Sequence, residues 1–190
     1  MAAKSSLKNM VLCLGLVCFF CSAVLGGTYV LTEEPIAVAQ QQKTSASIAK
    51  VLPEFSSTPV ESAITLAGTD YTYYAVEGAG YAVISVTNGF SGPLSVMVGI
   101  DTDGIVYNTV VLSHSETPGL GAKCQTDAAF IDQFKGWDPA QKTLLVTKDG
   151  GDVDAITAST ITSRAYALAV SNALDVYHAI TENVGGQSNE

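Results

Sequence analysis

Positive charge, histidine and cysteine are all scarce in this 190-residue chain. Lysine and arginine number nine against 18 Asp/Glu, a formal net charge of −9. An acidic chain repels a phosphate backbone, so nucleic acid is excluded as a partner. Histidine occurs twice, at His114 and His178, and no Cys/His cluster has metal-ligand spacing. Neither a protein-bound metal nor an iron–sulfur cluster is expected. Of the four cysteines, Cys13, Cys18 and Cys21 fall in one apolar run, which leaves Cys124 alone in the remainder. No internal disulfide framework is therefore available. Proline is infrequent (6) and nothing repeats, so this length predicts one folded unit plus an anchor.

The longest feature present is uncharged. Between Lys8 and Glu33 lie 24 residues, Asn9 to Thr32, without a formal charge. As a helix they span about 36 Å, against about 30 Å for a bilayer's hydrocarbon core. A cleaved secretory signal is the rival, but its apolar region is typically only about 7–15 residues. The run has no clear small-x-small site at its end, and Glu33, Glu34 and Pro35 read as the first turn of a new helix. The reading is an uncleaved transmembrane helix. Lys4 and Lys8 precede it and two glutamates follow it, so the positive-inside rule places the C-terminal part outside the cytoplasm. That part holds seven Lys/Arg against all 18 Asp/Glu, a net −11.

Coarse structure is legible beyond the span. Glu33 to about Val51 is alanine-rich and suits a stalk helix ending near Pro53. From Glu61 to Ser113 short runs of β-branched and aromatic residues alternate with turns. The best strand candidates are Tyr71–Val76, Tyr81–Val86, Ser95–Ile100 and Ile105–Leu112. Asn88-Gly89 with Ser91-Gly92-Pro93 marks one connection, and Asp103-Gly104 signals a hairpin. Thr126–Phe134 reads as a short helix and Leu144–Val146 as a short strand. From Thr162 to Glu182, apolar residues at 165, 168, 169, 173, 176 and 180 keep helical spacing with one face inward. The fold class is α+β: an antiparallel sheet flanked by helices, preceded by one N-terminal transmembrane helix.

Two connecting segments are unusual. The first is His114-Ser-Glu-Thr-Pro-Gly-Leu-Gly-Ala-Lys123, directly after a strand. Pro118 with Gly119 and Gly121 sets a tight turn and lets backbone approach something flat without Cβ interference. An ordinary surface loop has the same composition. Hydrolase chemistry from the His-Ser-Glu string lacks a Gly-x-Ser-x-Gly elbow. The second is Asp152-Val-Asp-Ala-Ile-Thr-Ala-Ser-Thr-Ile-Thr-Ser-Arg164, which leads into the final helix. Thr157, Ser159, Thr160 and Thr162 collect where free N–H groups of a helix N-terminus gather, a place suited to an anion. Arg164, one turn beyond Thr160, is a candidate for the same anion. Plain helix capping explains such a Ser/Thr run equally well.

Together the two segments resemble the FMN-binding domain family that includes the G subunit of the Rnf ion-translocating electron-transport complex. The C subunit of the sodium-translocating NADH:quinone reductase is a relative. The family's signature, Asp-x-x-Ser/Thr-Gly-Ala-Thr with FMN esterified to the last threonine, maps onto Asp154, Thr157, Ala158, Ser159 and Thr160. Ile161-Thr162-Ser163 continue its usual sequel, and the loop Glu116-Thr-Pro-Gly-Leu-Gly121 is a second hallmark. Leu-Thr-Glu-Glu-Pro-Ile (Leu31–Ile36) after a single span resembles the Rnf protein as well. The resemblance implies one covalent FMN per chain on Thr160. Glu116, Thr117, Gly119, Leu120, Gly121, Asp154, Thr157, Ser159, Ile161 and Thr162 would form its surroundings. It implies no catalytic residue, since Thr160 would be an attachment point for an electron carrier in a translocase rather than in an independent enzyme. The implied partners are other membrane subunits of the complex and a flavin transferase. The implied location is the cytoplasmic (inner) membrane, single-pass, with the C-terminal domain on the periplasmic side.

The expected organisation is a cytoplasmic N-terminus 1–8, a transmembrane helix 9–32, a stalk helix and linker 33–58, an FMN-binding domain 59–184 and a flexible tail 185–190. One departure stands out. Ala158-Ser159 replaces the family's Gly-Ala pair, and if that glycine adopts positive φ, Ala158 carries a steric cost of roughly 1 kcal/mol. A non-flavinylated assembly subunit of the same fold is the alternative that this departure leaves open.

Overall fold

A computed structural model describes residues 7–187. Residues 1–6, most of the expected cytoplasmic N-terminus, and 188–190, the end of the expected tail, lie outside the described residues. The chain divides into two units, Met1–Lys43 and Thr44–Glu190.

In the first unit the described residues are helical. Helix α1 begins at Leu7 and runs to Val51, its residues from Thr44 on belonging to the second unit. Among the described residues α1 is the one helix long and apolar enough to cross a membrane, and no part of its apolar window is buried. Leu12, Leu16, Phe19, Phe20 and Leu25 are all exposed, an apolar surface that water does not tolerate and a lipid would cover. Thr28 donates its hydroxyl to the Leu25 carbonyl at 2.9 Å, and Thr32 donates to the Thr28 carbonyl at 2.8 Å. These hydroxyls are thus satisfied by the helix's own backbone. Glu33–Pro35 does not open a new helix: Pro35 stands inside α1. It removes one N–H bond, while the alanine- and glutamine-rich residues after it carry the helix onward.

The second unit is a five-stranded antiparallel meander in the order β1-β2-β3-β4-β5: β1 Val60–Leu66, β2 Thr69–Val76, β3 Gly80–Asn88, β4 Pro93–Ile100 and β5 Val106–His114. Four of these strands are the expected ones. The fifth, β1, escaped because in Val-Glu-Ser-Ala-Ile-Thr-Leu the apolar Val60 and Ala63 are exposed while the polar Ser62 is half-buried, which blurs the alternation of residue types. Period-two geometry sends successive side chains of β4 to opposite faces. Leu94, Val96, Val98 and Ile100 join the larger core, and Met97 joins a smaller one.

The larger core is covered by helix α4, Thr160–Gln187, which packs against β3 and β4. Ala165, Ala169, Ala173, Val176 and Ile180 face inward as expected, but Leu168 is 53% exposed. The inward arc instead takes in Tyr166, Val170, Leu174 and Tyr177. The arc is wide because the segment between β5 and α4 adds Phe130, Phe134 and Trp137 to the same core, and Phe130 and Phe134 pack against Tyr166. The single helix expected over Thr126–Phe134 is three short turns: α2 Lys123–Thr126, α3 Ala128–Ile131 and a 3-10 turn Asp132–Phe134. Asp127 breaks it, with extended backbone (φ −86°, ψ 101°) and a carboxylate that accepts from the Ala129 N–H. Leu144–Val146 is not a strand; Val146 alone bridges to Val153.

The smaller core, on the opposite sheet face, gathers Ile48, Val51, Leu52, Val76, Ala79, Ala82 and Met97. Here residues 44–51 of α1 come so close to β4 that a Cβ on Gly99 would overlap the Val51 carbonyl. Gly99→Ala is therefore expected to destabilise this unit by about 1–3 kcal/mol, the usual cost of overpacking a close contact. Thermal unfolding of the full chain in detergent reads it as a fall of several degrees in Tm; an unchanged Tm would show the contact to be dispensable.

Candidate functional site

Sheet register brings the two unusual segments together. Leu94 at the start of β4 pairs with His114 at the end of β5. The loop 115–122 therefore leaves the sheet beside the turn 89–92 that precedes β4. Gly89 donates its N–H to the Gly92 carbonyl at 2.8 Å, which closes that turn. Glu116 then reaches into it, and Oε1 accepts the Phe90 N–H at 2.7 Å. The Ser91 and Thr117 hydroxyls are 3.2 Å apart and add a second tie. Thr117-Pro118-Gly119-Leu120 is a reverse turn, with Leu120 N–H donating to the Thr117 carbonyl at 3.2 Å and Gly119 at φ +77°. Proline second and a positive-φ glycine third are the residues a type II turn selects.

Glu116 is 6% exposed and occupies the space that Cβ atoms on Gly89 and Gly121 would need. Its second oxygen, Oε2, has no hydrogen-bond partner. Thr162 Oγ1, 2.9 Å from the same Gly121 Cβ position, is also buried and unpartnered. His114 does not enter the site. Its Nδ1 accepts the Glu116 N–H at 3.2 Å, so the neutral ring carries its proton on Nε2 and donates to Gln125 Oε1 at 3.1 Å. Both ring nitrogens brace the loop, which leaves the hydrolase reading without a base. Burial and the nearby Glu116 push the Cys124 thiol up to about 11, so it packs as a neutral group rather than reacting as a thiolate.

The second segment arrives from the other side. Ser159 N–H donates to the Ile156 carbonyl at 2.9 Å, closing a turn whose third residue, Ala158, sits at φ +63°. The Ser159 carbonyl then accepts the Ser163 N–H at 3.0 Å, so α4 starts at Thr160. Ser163, fully buried, locks turn to helix: its hydroxyl accepts from Ile156 N–H at 2.9 Å and donates to the Ser159 carbonyl at 3.0 Å.

Between the segments lies a cavity of about 380 Å³ lined by Phe90, Glu116, Thr117, Leu120, Gly121 and residues 158–162. Its size falls within the range of about 300–1,000 Å³ for small-molecule and cofactor sites. Of four buried, unpartnered side-chain atoms among the described residues, two belong to this lining. Such atoms are rare and call for a ligand or water that supplies the missing bond.

Most of the residues singled out from sequence meet here: Glu116, Thr117, Leu120, Gly121, Ser159, Thr160, Ile161 and Thr162. Gly119 shapes the loop without lining the cavity. Asp154 and Thr157 are exposed and line a separate groove with Asp127, Phe130 and Gln133. Arg164 does not turn toward Thr160; it clamps Asp149 with bonds of 2.6 and 2.8 Å. Two residues were missed. Phe90 was hidden in a stretch that signals only a turn, and Lys148, whose Nζ lies 3.3 Å from Thr160 Oγ1, stands twelve residues away in no recognisable pattern.

Comparison with known proteins places these features. A family model for the FMN-binding domain matches residues 89–175, which include every residue lining the cavity. Proteins named as the G subunit of an ion-translocating oxidoreductase complex match nearly end to end. Those of Aliivibrio fischeri and Vibrio vulnificus are each 32% identical, over 95% and 92% of this chain and 94% and 92% of their own. That of Pseudoalteromonas atlantica is 33% identical over 98% of this chain and 95% of its own. The chain belongs to this G-subunit family. A crystal structure of the C subunit of Na(+)-translocating NADH-quinone reductase from Parabacteroides distasonis is also similar, at 26% identity over 55% of this chain and 59% of that one, with a TM-score of 0.44.

In this member of the G-subunit family, the turn before α4 holds an alanine where L side chains are strained. Ala158→Gly is expected to raise stability by about 0.5–1 kcal/mol, the relief of left-handed strain less glycine's added unfolded-state entropy. A Tm increase in thermal unfolding checks it; a decrease would mean that the turn tolerates the methyl group without strain.

Proposed function

We propose that this chain is a membrane-anchored electron-carrier subunit of an ion-translocating oxidoreductase complex, with one FMN joined by a phosphodiester to Thr160. The observation that carries the reading is the position of Thr160. It is the first residue of α4, partly exposed, on the lining of a cavity that also holds two unpartnered buried polar atoms. A phosphate at that hydroxyl meets the N–H groups that a helix's first turn leaves free, and the positive end of its dipole.

When bound, FMN supplies one- and two-electron chemistry, which belongs to the cofactor. The chain's residues hold and shelter it. Glu116 Oε2 and Thr162 Oγ1 offer hydrogen bonds to its polar atoms, and Phe90, Leu120 and Ile161 offer apolar contact at the cavity wall. Thr117, Gly121 and Ser159 complete the lining, and Gly119 sets the loop's path. Asp154 and Thr157 stand exposed in the separate groove, open to the flavin transferase that would attach the cofactor. Thr160 is an attachment point, and the tether keeps the carrier at high local concentration beside its partners. Those partners are the other membrane subunits of the complex, as the relatives' names suggest. The apolar part of α1 serves as a single-pass anchor in the inner membrane, with the acidic domain on the periplasmic side.

Ala158 favours a second reading, a non-flavinylated assembly subunit, because the strained turn lies two residues before the acceptor. One experiment separates them. Produced with a competent flavin transferase, the full chain should run as a fluorescent band on a denaturing gel and be heavier by FMN less one water. Thr160→Ala should be unlabelled, with the melting transition of the wild-type chain produced without the transferase. A wild-type chain of unmodified mass, in a complex with undiminished electron flow, would establish the assembly reading instead.

A further inference from the structure

Lys148 is the residue of this region with no assigned task. It lies on the 3-10 turn Thr147–Asp149, is exposed, and donates to Thr160 Oγ1 at 3.3 Å. Among the described residues no carboxylate lies within ion-pairing distance of its ammonium. The adjacent carboxylate, Asp149, is held instead in the two-bond clamp of Arg164, whose guanidinium keeps it below the usual carboxylate range. Lys148 and Asp149 attract each other, but with Asp149 bonded to Arg164 the lysine's ammonium stays beside the Thr160 hydroxyl, where an anion in this acidic domain would meet a positive charge. A ligand is called for independently by Thr162 Oγ1, 1% exposed and unpartnered on the lining of the cavity that Thr160 borders.

We propose that Lys148 is the phosphate-binding residue of this site, and that Arg164 positions it indirectly by keeping Asp149 occupied. The inference rests on the reading of the cavity as a flavin site. A phosphorus bonded to Thr160 Oγ1 carries its free oxygens one bond further out, within reach of an ammonium already 3.3 Å from that atom. Lysine suits the role as a mobile point charge with three donors, needing no planar partner. The helix N–H groups of α4 then share the same anion. Arg164, the more obvious cation in sequence, works one step removed: without it, Asp149 is free to pair with its neighbour Lys148 and cancel the charge.

The test compares two probes that differ only by the phosphate, free FMN and riboflavin. Each is titrated by fluorescence into the full chain in detergent, produced without a flavin transferase. The wild-type chain should prefer FMN, and Lys148→Met should lower that preference about tenfold, the worth of one charge-assisted hydrogen bond. Lys148→Arg should keep most of it. Arg164→Gln should lower the preference, and Arg164→Gln with Asp149→Asn should restore it, a rescue that a merely structural arginine would not show. An FMN-over-riboflavin preference unchanged in Lys148→Met overturns the inference while leaving the flavin site standing. Failure of the wild-type chain to bind either flavin removes the site reading, and the inference with it.

Discussion

The site depends on one buried carboxyl group. Taking Glu116 out of water is costly unless its oxygens find donors. One does: the Phe90 N–H at 2.7 Å ties the loop after β5 to the turn before β4. That bond requires glycine at 89 and 121, because the carboxyl fills the space of both missing side chains. The other oxygen is left without a donor at the cavity, beside the equally unpartnered Thr162 hydroxyl. Loop, turn and α4 thus meet around a polar deficit that a ligand with hydrogen-bonding edges would remove. His114 stabilises this arrangement from behind by accepting the Glu116 N–H.

The opposite wall is set by backbone strain rather than by charge. The turn 156–159 must reverse the chain so that α4 starts at the cavity, and its third residue takes positive φ to do so. A glycine there would be free of strain; this chain uses Ala158 and holds the turn with the buried Ser163 hydroxyl, which bonds at both ends of it. The result fixes Thr160 as the first residue of a 28-residue helix. The length of that helix makes its N-terminus a firm electrostatic feature, and its packing on β3 and β4 ties Thr160 to the sheet.

Period-two runs bounded by Asn-Gly and Asp-Gly placed four strands correctly, since alternation and turn chemistry are local properties. The edge strand β1 was lost because Val60 and Ala63 stand on its exposed face and Ser62 on its half-buried one, so residue type does not follow burial. Leu168 was assigned inward from spacing alone, yet α4 is buried over an arc that only tertiary packing reveals. In the site, the loop and the Ser/Thr segment were visible as motifs, and a steric argument foresaw the strain at Ala158. Helical proximity made Arg164 a candidate for the anion, but a competing carboxylate fifteen residues earlier captures it. Phe90 and Lys148 reach the site through the β4–β5 register and a 3-10 turn, long-range consequences that no short window of sequence contains.

The apolar helix α1, the acidic domain and the strained turn before Thr160 together support the proposal of a carrier held at a membrane beside its partners. Its central claim is the bond at Thr160. The most direct measurement is tandem mass spectrometry of tryptic peptides from the chain purified out of its own membranes. Cleavage after Lys148 and Arg164 gives the peptide 149–164, which contains Thr157, Ser159, Thr160 and Thr162. The account predicts that this peptide carries FMN less one water, with fragment ions assigning the group to Thr160. The same peptide recovered unmodified, or the flavin located on another hydroxyl, would contradict it.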